Sequence, residues 1–83
     1  MKKYNIEFRK PALKFLYKQN KEQQERLLKA IYKLPHEGDI KPMSGRDNEY
    51  RLRVGDYRII YSIYEDVLTV EIMTIGTRGD IYK

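Results

Sequence analysis

Apolar and polar residues alternate at the start of the chain. Tyr4, Ile6 and Phe8 are separated by Asn5 and Glu7, the period of a half-buried strand. The pattern then becomes helical. Pro11 stands where the first turn of a helix accepts proline, and Leu13, Leu16 and Tyr17 follow at helical spacing beside Phe15. Asn20 and Lys21 break that period. A second helix is expected from Lys21 to Leu34, with Leu27, Leu28, Ile31 and Leu34 on one stripe and Pro35 ending it. Residues 36–48 hold two glycines, a proline and several turn formers, which predicts a loop. Strand patterning resumes at Glu49–Val54 and Tyr57–Tyr64, joined by Gly55-Asp56, a pair suited to a two-residue hairpin turn. Glu65-Asp66 turns the chain again into a strand from Val67 to Ile75. The order β-α-α-β-β-β predicts an α+β fold, a helical hairpin packed on one face of a small, mostly antiparallel four-stranded sheet.

Length and composition narrow the function classes. Eighty-three residues make one domain, 1–83. The absence of cysteine excludes disulfides and thiolate metal sites, and the single histidine, His36, excludes a site built on two imidazoles. No apolar run approaches the ~20 residues of a membrane span, and the N-terminus lacks the apolar stretch of a signal peptide, so a cytoplasmic protein is expected. The charge is unevenly spread. Residues 1–36 hold ten Lys and Arg against three Asp and Glu, whereas residues 51–83 hold five of each. Lys14, Lys18, Lys21, Lys29 and Lys33 fall on the outer face of the helical hairpin, which suits a polyanion or an acidic protein as partner.

The hairpin carries the most informative chemistry. Pairing across Gly55-Asp56 sets Val54 opposite Tyr57, Arg53 opposite Arg58 and Leu52 opposite Ile59. Tyr50, Leu52, Val54, Tyr57, Ile59, Tyr61 and Ile63 then share the covered face, and Arg51, Arg53 and Arg58 share the other. Like charges directly opposite each other cost up to about 1 kcal/mol. Such a cluster is either paired with acids, for which Glu49 and Glu71 are candidates, or kept for an anion whose oxygens suit the guanidinium fork. Tyr64, on the same face, offers a stacking surface for a base.

The run Tyr50-Arg51-Leu52-Arg53-Val54-Gly55-Asp56-Tyr57-Arg58-Ile59-Ile60-Tyr61, the loop Lys41-Pro42-Met43-Ser44-Gly45, and the ending Ile75-Gly76-Thr77-Arg78 with Ile81-Tyr82 resemble the RelE/ParE toxin superfamily. The resemblance spans essentially the whole chain. It implies the toxin of a type II pair, neutralised by an acidic RelB-like antitoxin. RelE-like members cut messenger RNA on the ribosome, whereas ParE-like members poison DNA gyrase. Arg78 and Tyr82 match the nuclease arm, Arg58 matches the central hairpin arginine, and Arg51 stands where that arm carries lysine. Thr77 and Gly79 depart from the arm's common ending. The resemblance thus implies Arg51, Arg58, Arg78 and Tyr82 as catalytic, Arg53, Tyr64, Lys14, Lys18, Lys29 and Lys33 as RNA-binding, and no metal or cofactor. The outcomes left open are a metal-independent endoribonuclease acting in the decoding site, a gyrase inhibitor, and a non-catalytic RNA- or protein-binding module.

Cleavage by 2′-hydroxyl attack needs a base, and arginine cannot serve as one. Tyr82, ordinarily ionising near pH 10, becomes feasible where arginines lower its pKa, with Glu49 in reserve. His36, at the end of the second helix, reads as a helix-terminal or loop residue.

Overall fold

The alternation of Ile6 and Phe8 builds a short strand, β1 (Asn5–Phe8), which enters a helix, α1 (Lys10–Lys18), with proline in its first turn. The computed structural model describes residues 2–45 and 47–77. Ala12 and Leu16 are the buried positions of α1, whereas Tyr17 is 71% exposed and lies off the stripe its spacing suggests. A second helix, α2 (Lys21–Ile31), begins at Asn20, whose side-chain oxygen accepts the Gln23 N–H at 2.9 Å. That bond satisfies one of the donors a helix start leaves open. The helix stops at Ile31 rather than at the expected Leu34. The N–H groups of Lys33 and Leu34 bond Ala30 and Ile31 instead of continuing the helical ladder. Proline disfavours helical geometry in the residue before it, and Leu34 reaches the core from a turn.

Five strands form the sheet, one more than expected. The additional strand, β2 (Asp39–Pro42), lies within the segment that composition marks as loop. Its edge position explains both its existence and its poor signal. Only Ile40 points inward, opposite Leu52, and the proline is tolerated because one side of the strand has no ladder partner. The remaining strands are β3 (Glu49–Val54), β4 (Tyr57–Tyr64) and β5 (Thr69–Thr77), with a single 3-10 turn, Glu65–Val67, before β5. The order is β1-β5-β4-β3-β2, with β1 parallel to β5 and every other pair antiparallel. The α+β fold with both helices on one face is as the pattern predicts. Among the described residues, no helix is long and apolar enough to cross a membrane.

Leu27 and Ile31 from α2 meet Leu52, Ile59, Tyr61, Val70 and Ile72 from the sheet, all at 0–1% exposure. Tyr61 stacks on Tyr50 with ring centroids 5.7 Å apart, and its buried hydroxyl has no hydrogen-bond partner among the described residues. An unpaired buried polar group is costly, so Tyr61→Phe is expected to stabilise the fold by about 1 kcal/mol and raise the melting temperature by several degrees. Burial also pushes the Tyr61 phenol well above its ordinary range. The unfolded chain ionises this group near pH 10 while the folded chain keeps its proton, so stability falls as pH rises above that point. Urea titrations from pH 9 to 11 check both effects. The Tyr61→Phe protein should be the more stable at pH 9 and should lack this alkaline slope.

Candidate functional site

The β3–β4 register sets Arg53 directly opposite Arg58 and Arg51 opposite Ile60, on the face away from the helices. Gly55 enables the tight turn: its φ of +59° is natural to glycine, and Asp56 needs no such value, as in turns with glycine first. Arg58 also faces Gly76 of β5, which has no side chain to fill the space beside it. A surface depression of about 230 Å³ opens here, lined by Arg53, Gly55, Asp56 and Arg58. Arg53 is exposed and makes no ion pair among the described residues. Two guanidinium groups thus bracket a polar hollow at one end of the sheet.

Arg51 is placed differently. Its side chain is only 14% exposed, one terminal nitrogen lies 3.8 Å from an Asp39 carboxylate oxygen, and its buried Nε has no partner among the described residues. Asp39 was not a foreseeable partner, because it belongs to the strand that composition hides. Glu71 is committed elsewhere. It lies 3.7 Å from Arg9 and accepts a hydrogen bond from the Tyr64 hydroxyl at 3.3 Å. It pairs across the sheet with Ser62, four residues from Arg58 and ~13 Å along the strand, too far to neutralise the hairpin arginines. Glu49 is half-buried, on the face of Arg51 and two positions before it.

Tyr64 shares the arginine face but sits six residues from Arg58, at the other end of β4 and ~20 Å away. The fold does not bring it to the arginine pair. Lys14, Lys18, Lys29 and Lys33 are all exposed, the last in the turn beyond α2. Because the helices cover the opposite face of the sheet, lysines and arginines form two separate basic surfaces. The His36 Nε2–H donates to the Lys2 carbonyl oxygen at 2.8 Å, and the ring packs edge-on against Tyr4. It has the loop role expected of it. Arg78 and Tyr82 lie outside the described residues. β5 ends at Thr77, opposite Tyr57, so the chain arrives at the hairpin end beside Arg58. Among the described residues, no three His, Asp or Glu side chains gather as a metal site would need.

One further side chain reaches this end. Arg26 of α2 lies against Gly55, so close that a Cβ there would sit 2.5 Å from an Arg26 terminal nitrogen. No local signal marks it, since the contact is made by packing between distant segments.

A family model described as the ParE toxin of the type II toxin–antitoxin system parDE matches residues 6–82. A Methanocaldococcus jannaschii chain named as toxin RelE1 is 31% identical over 87 residues, spanning 98% of this chain and 97% of its own. A chain of the RelE–RelB complex from Pyrococcus horikoshii OT3 superposes with a TM-score of 0.76 at 26% identity, over 95% of this chain and 99% of that one. A chain of the Mycobacterium tuberculosis toxin–antitoxin complex RelBE2 gives 0.81 at 25% identity, over 96% and 97%.

Proposed function

The chain belongs to the ParE toxin family of type II toxin–antitoxin systems, within the RelE/ParE superfamily, and from that premise we propose that it is a RelE-like endoribonuclease acting on ribosome-bound messenger RNA. The observation that carries this reading is the Arg53–Arg58 pair, set opposite each other around a polar hollow on the face the helices leave open. A phosphate there meets preorganised positive charge, the form of stabilisation that contributes most to charged transition states.

In the proposed reaction the 2′-oxygen attacks the adjacent phosphorus. The P–O2′ bond forms, the P–O5′ bond breaks, and the products are a 2′,3′-cyclic phosphate and a 5′-hydroxyl. Arg58 and Arg51 neutralise the non-bridging oxygens, Arg78 adds charge, Tyr82 takes the 2′ proton, with Glu49 in reserve, and water protonates the departing 5′ oxygen. Arg53 binds RNA. No metal or cofactor takes part. Free RNA rarely aligns its 2′-oxygen for attack, and the ribosome supplies that alignment, which is worth ~7–11 kcal/mol in favourable cases. The lysines of the helical layer contact ribosomal RNA phosphates, and the protein works in the cytoplasm. Tyr64, distant from the arginine pair, contacts a different stretch of the RNA.

The solved relatives from P. horikoshii and M. tuberculosis are complexes of toxin with antitoxin. We assign this chain an acidic RelB-like antitoxin that wraps the lysine face, burying on the order of 2,000 Å². Replacing Lys14, Lys18, Lys29 and Lys33 together with glutamate is expected to weaken the purified pair by on the order of tenfold or more at low salt, and less at high salt. Isothermal titration at two ionic strengths checks this, and an unchanged affinity would remove electrostatic pairing as the basis of recognition.

The match to the ParE toxin model favours a second reading, inhibition of DNA gyrase. Induced expression separates the two. Primer extension on a translated message should show new 5′ ends within codons, and gyrase supercoiling should be unaffected by the purified protein. Inhibited supercoiling with an intact message would support the second reading.

A further inference from the structure

We propose that Arg26 of α2 is a phosphate-binding residue, extending the arginine site around the hairpin turn so that it holds the RNA phosphate neighbouring the one gripped by Arg53 and Arg58. This rests on the endoribonuclease reading for the identity of the polymer. The phosphate contact itself rests on the packing at the turn.

The guanidinium of Arg26 lies flat against the turn. The position of a Gly55 Cβ would be 2.5 Å from one terminal nitrogen, 3.0 Å from Cζ and 3.1 Å from the other terminal nitrogen. A side chain at position 55 would push the Arg26 tip aside, and glycine readily takes the φ found there. Arg26 is exposed, and among the described residues it makes neither an ion pair nor a hydrogen bond, although Asp56 is next to Gly55 in the chain. Its donor fork is therefore solvent-facing and unused beside the turn. Arg53 is equally unpaired, and Arg58 stands opposite it. Three guanidinium groups thus gather around one two-residue turn, and the forks of Arg26 and Arg53 are open to an anion.

The surroundings are firm. The Tyr57 hydroxyl donates to the Gln19 side-chain oxygen at 3.0 Å, and Phe15 packs edge-on against Tyr57 with centroids 5.9 Å apart. These contacts fasten the connection between α1 and α2 to the same end of the sheet. Among the described residues, the lining of the hollow is polar, with no apolar side chain. An acidic protein segment ordinarily adds apolar anchors at the centre of its interface, which this surface does not offer. A phosphate chain needs only repeated cations, and the planar fork of arginine matches its oxygens.

The test uses the full chain and a fluorescein-labelled 2′-O-methyl RNA dodecamer, which binds but cannot be cut. Anisotropy titrations across a salt series compare the wild type with Arg26→Gln, Arg26→Lys and Arg58→Gln. Arg26→Gln is expected to weaken binding on the order of tenfold at low salt, and to make the slope of log affinity against log salt shallower by about 0.7, one phosphate contact on a single strand. Arg26→Lys should restore the slope with part of the affinity, a rescue that a merely structural role would not produce. On ribosome-bound message, Arg26→Gln should raise the half-saturating toxin concentration and leave the saturating rate nearly unchanged. An unchanged salt slope in Arg26→Gln overturns the proposal, as does a wild type that fails to bind the dodecamer. So does a loss confined to poly-glutamate, which would assign this end to an acidic protein. If Arg58→Gln alone flattens the slope, the Arg26 inference fails and the arginine site stands. If Arg26→Gln flattens it but the wild type leaves ribosome-bound message intact, the nuclease reading fails and the Arg26 contact stands.

Discussion

Arg58→Ala is expected to lower cleavage of ribosome-bound message by on the order of 10²–10³-fold, the usual effect of removing one preorganised donor from a developing negative charge. The fold should survive. Arg58 points away from the core, its backbone pairs remain in the ladder with Arg53 and Gly76, and the substitution removes a like-charge opposition across the turn. Single-turnover cleavage and a thermal melt on the same preparation check both halves. Arg51→Ala should also lower the rate, with a stability cost, because Arg51 is largely buried and reaches Asp39 of β2. Arg53→Ala should matter less to the rate, since Arg53 is exposed and is assigned to binding. An Arg58→Ala protein that cut at the wild-type rate would contradict the assignment of the hairpin to phosphate.

Tyr82→Phe carries the largest expected effect. The substitution keeps the ring and removes only the ionisable hydroxyl. General base catalysis typically contributes ~10²–10⁴-fold, so single-turnover cleavage should fall by about that much. Affinity for ribosome and antitoxin should barely change, because one hydroxyl is a small part of either surface. Wild-type cleavage should rise with pH and level off below about 10, because arginines of the proposed site would favour the phenolate. In a gyrase inhibitor or a passive binding module the same substitution would change nothing. Undiminished cleavage would move the base assignment to Glu49, tested through Glu49→Gln.

What was legible in the chain depended on how local its cause was. The Gly55-Asp56 turn determines which residues of β3 and β4 face each other, so the Arg53–Arg58 opposition and the covered face followed from alternation alone. Edge strand β2 was not legible, because an edge needs only one inward residue and Ile40 is surrounded by the glycine, proline and acid of a loop. Helical spacing put Tyr17 on the apolar stripe beside Leu16, but the sheet covers Ala12 and Leu16 and leaves the tyrosine in solvent. Face and distance are likewise separate facts. Alternation placed Tyr64 on the arginine face, whereas only the length of β4 shows that it stands at the wrong end. Arg26 marks the limit of such reading, since its position over Gly55 exists only once α2 packs on the sheet.

The central claim is tested most directly by incubating the purified chain with an end-labelled message, with and without programmed ribosomes, and resolving the products on a sequencing gel. Cleavage that requires the ribosome and leaves 2′,3′-cyclic phosphate ends is the predicted result. An intact message in the presence of translating ribosomes, at toxin concentrations that arrest growth, would contradict it.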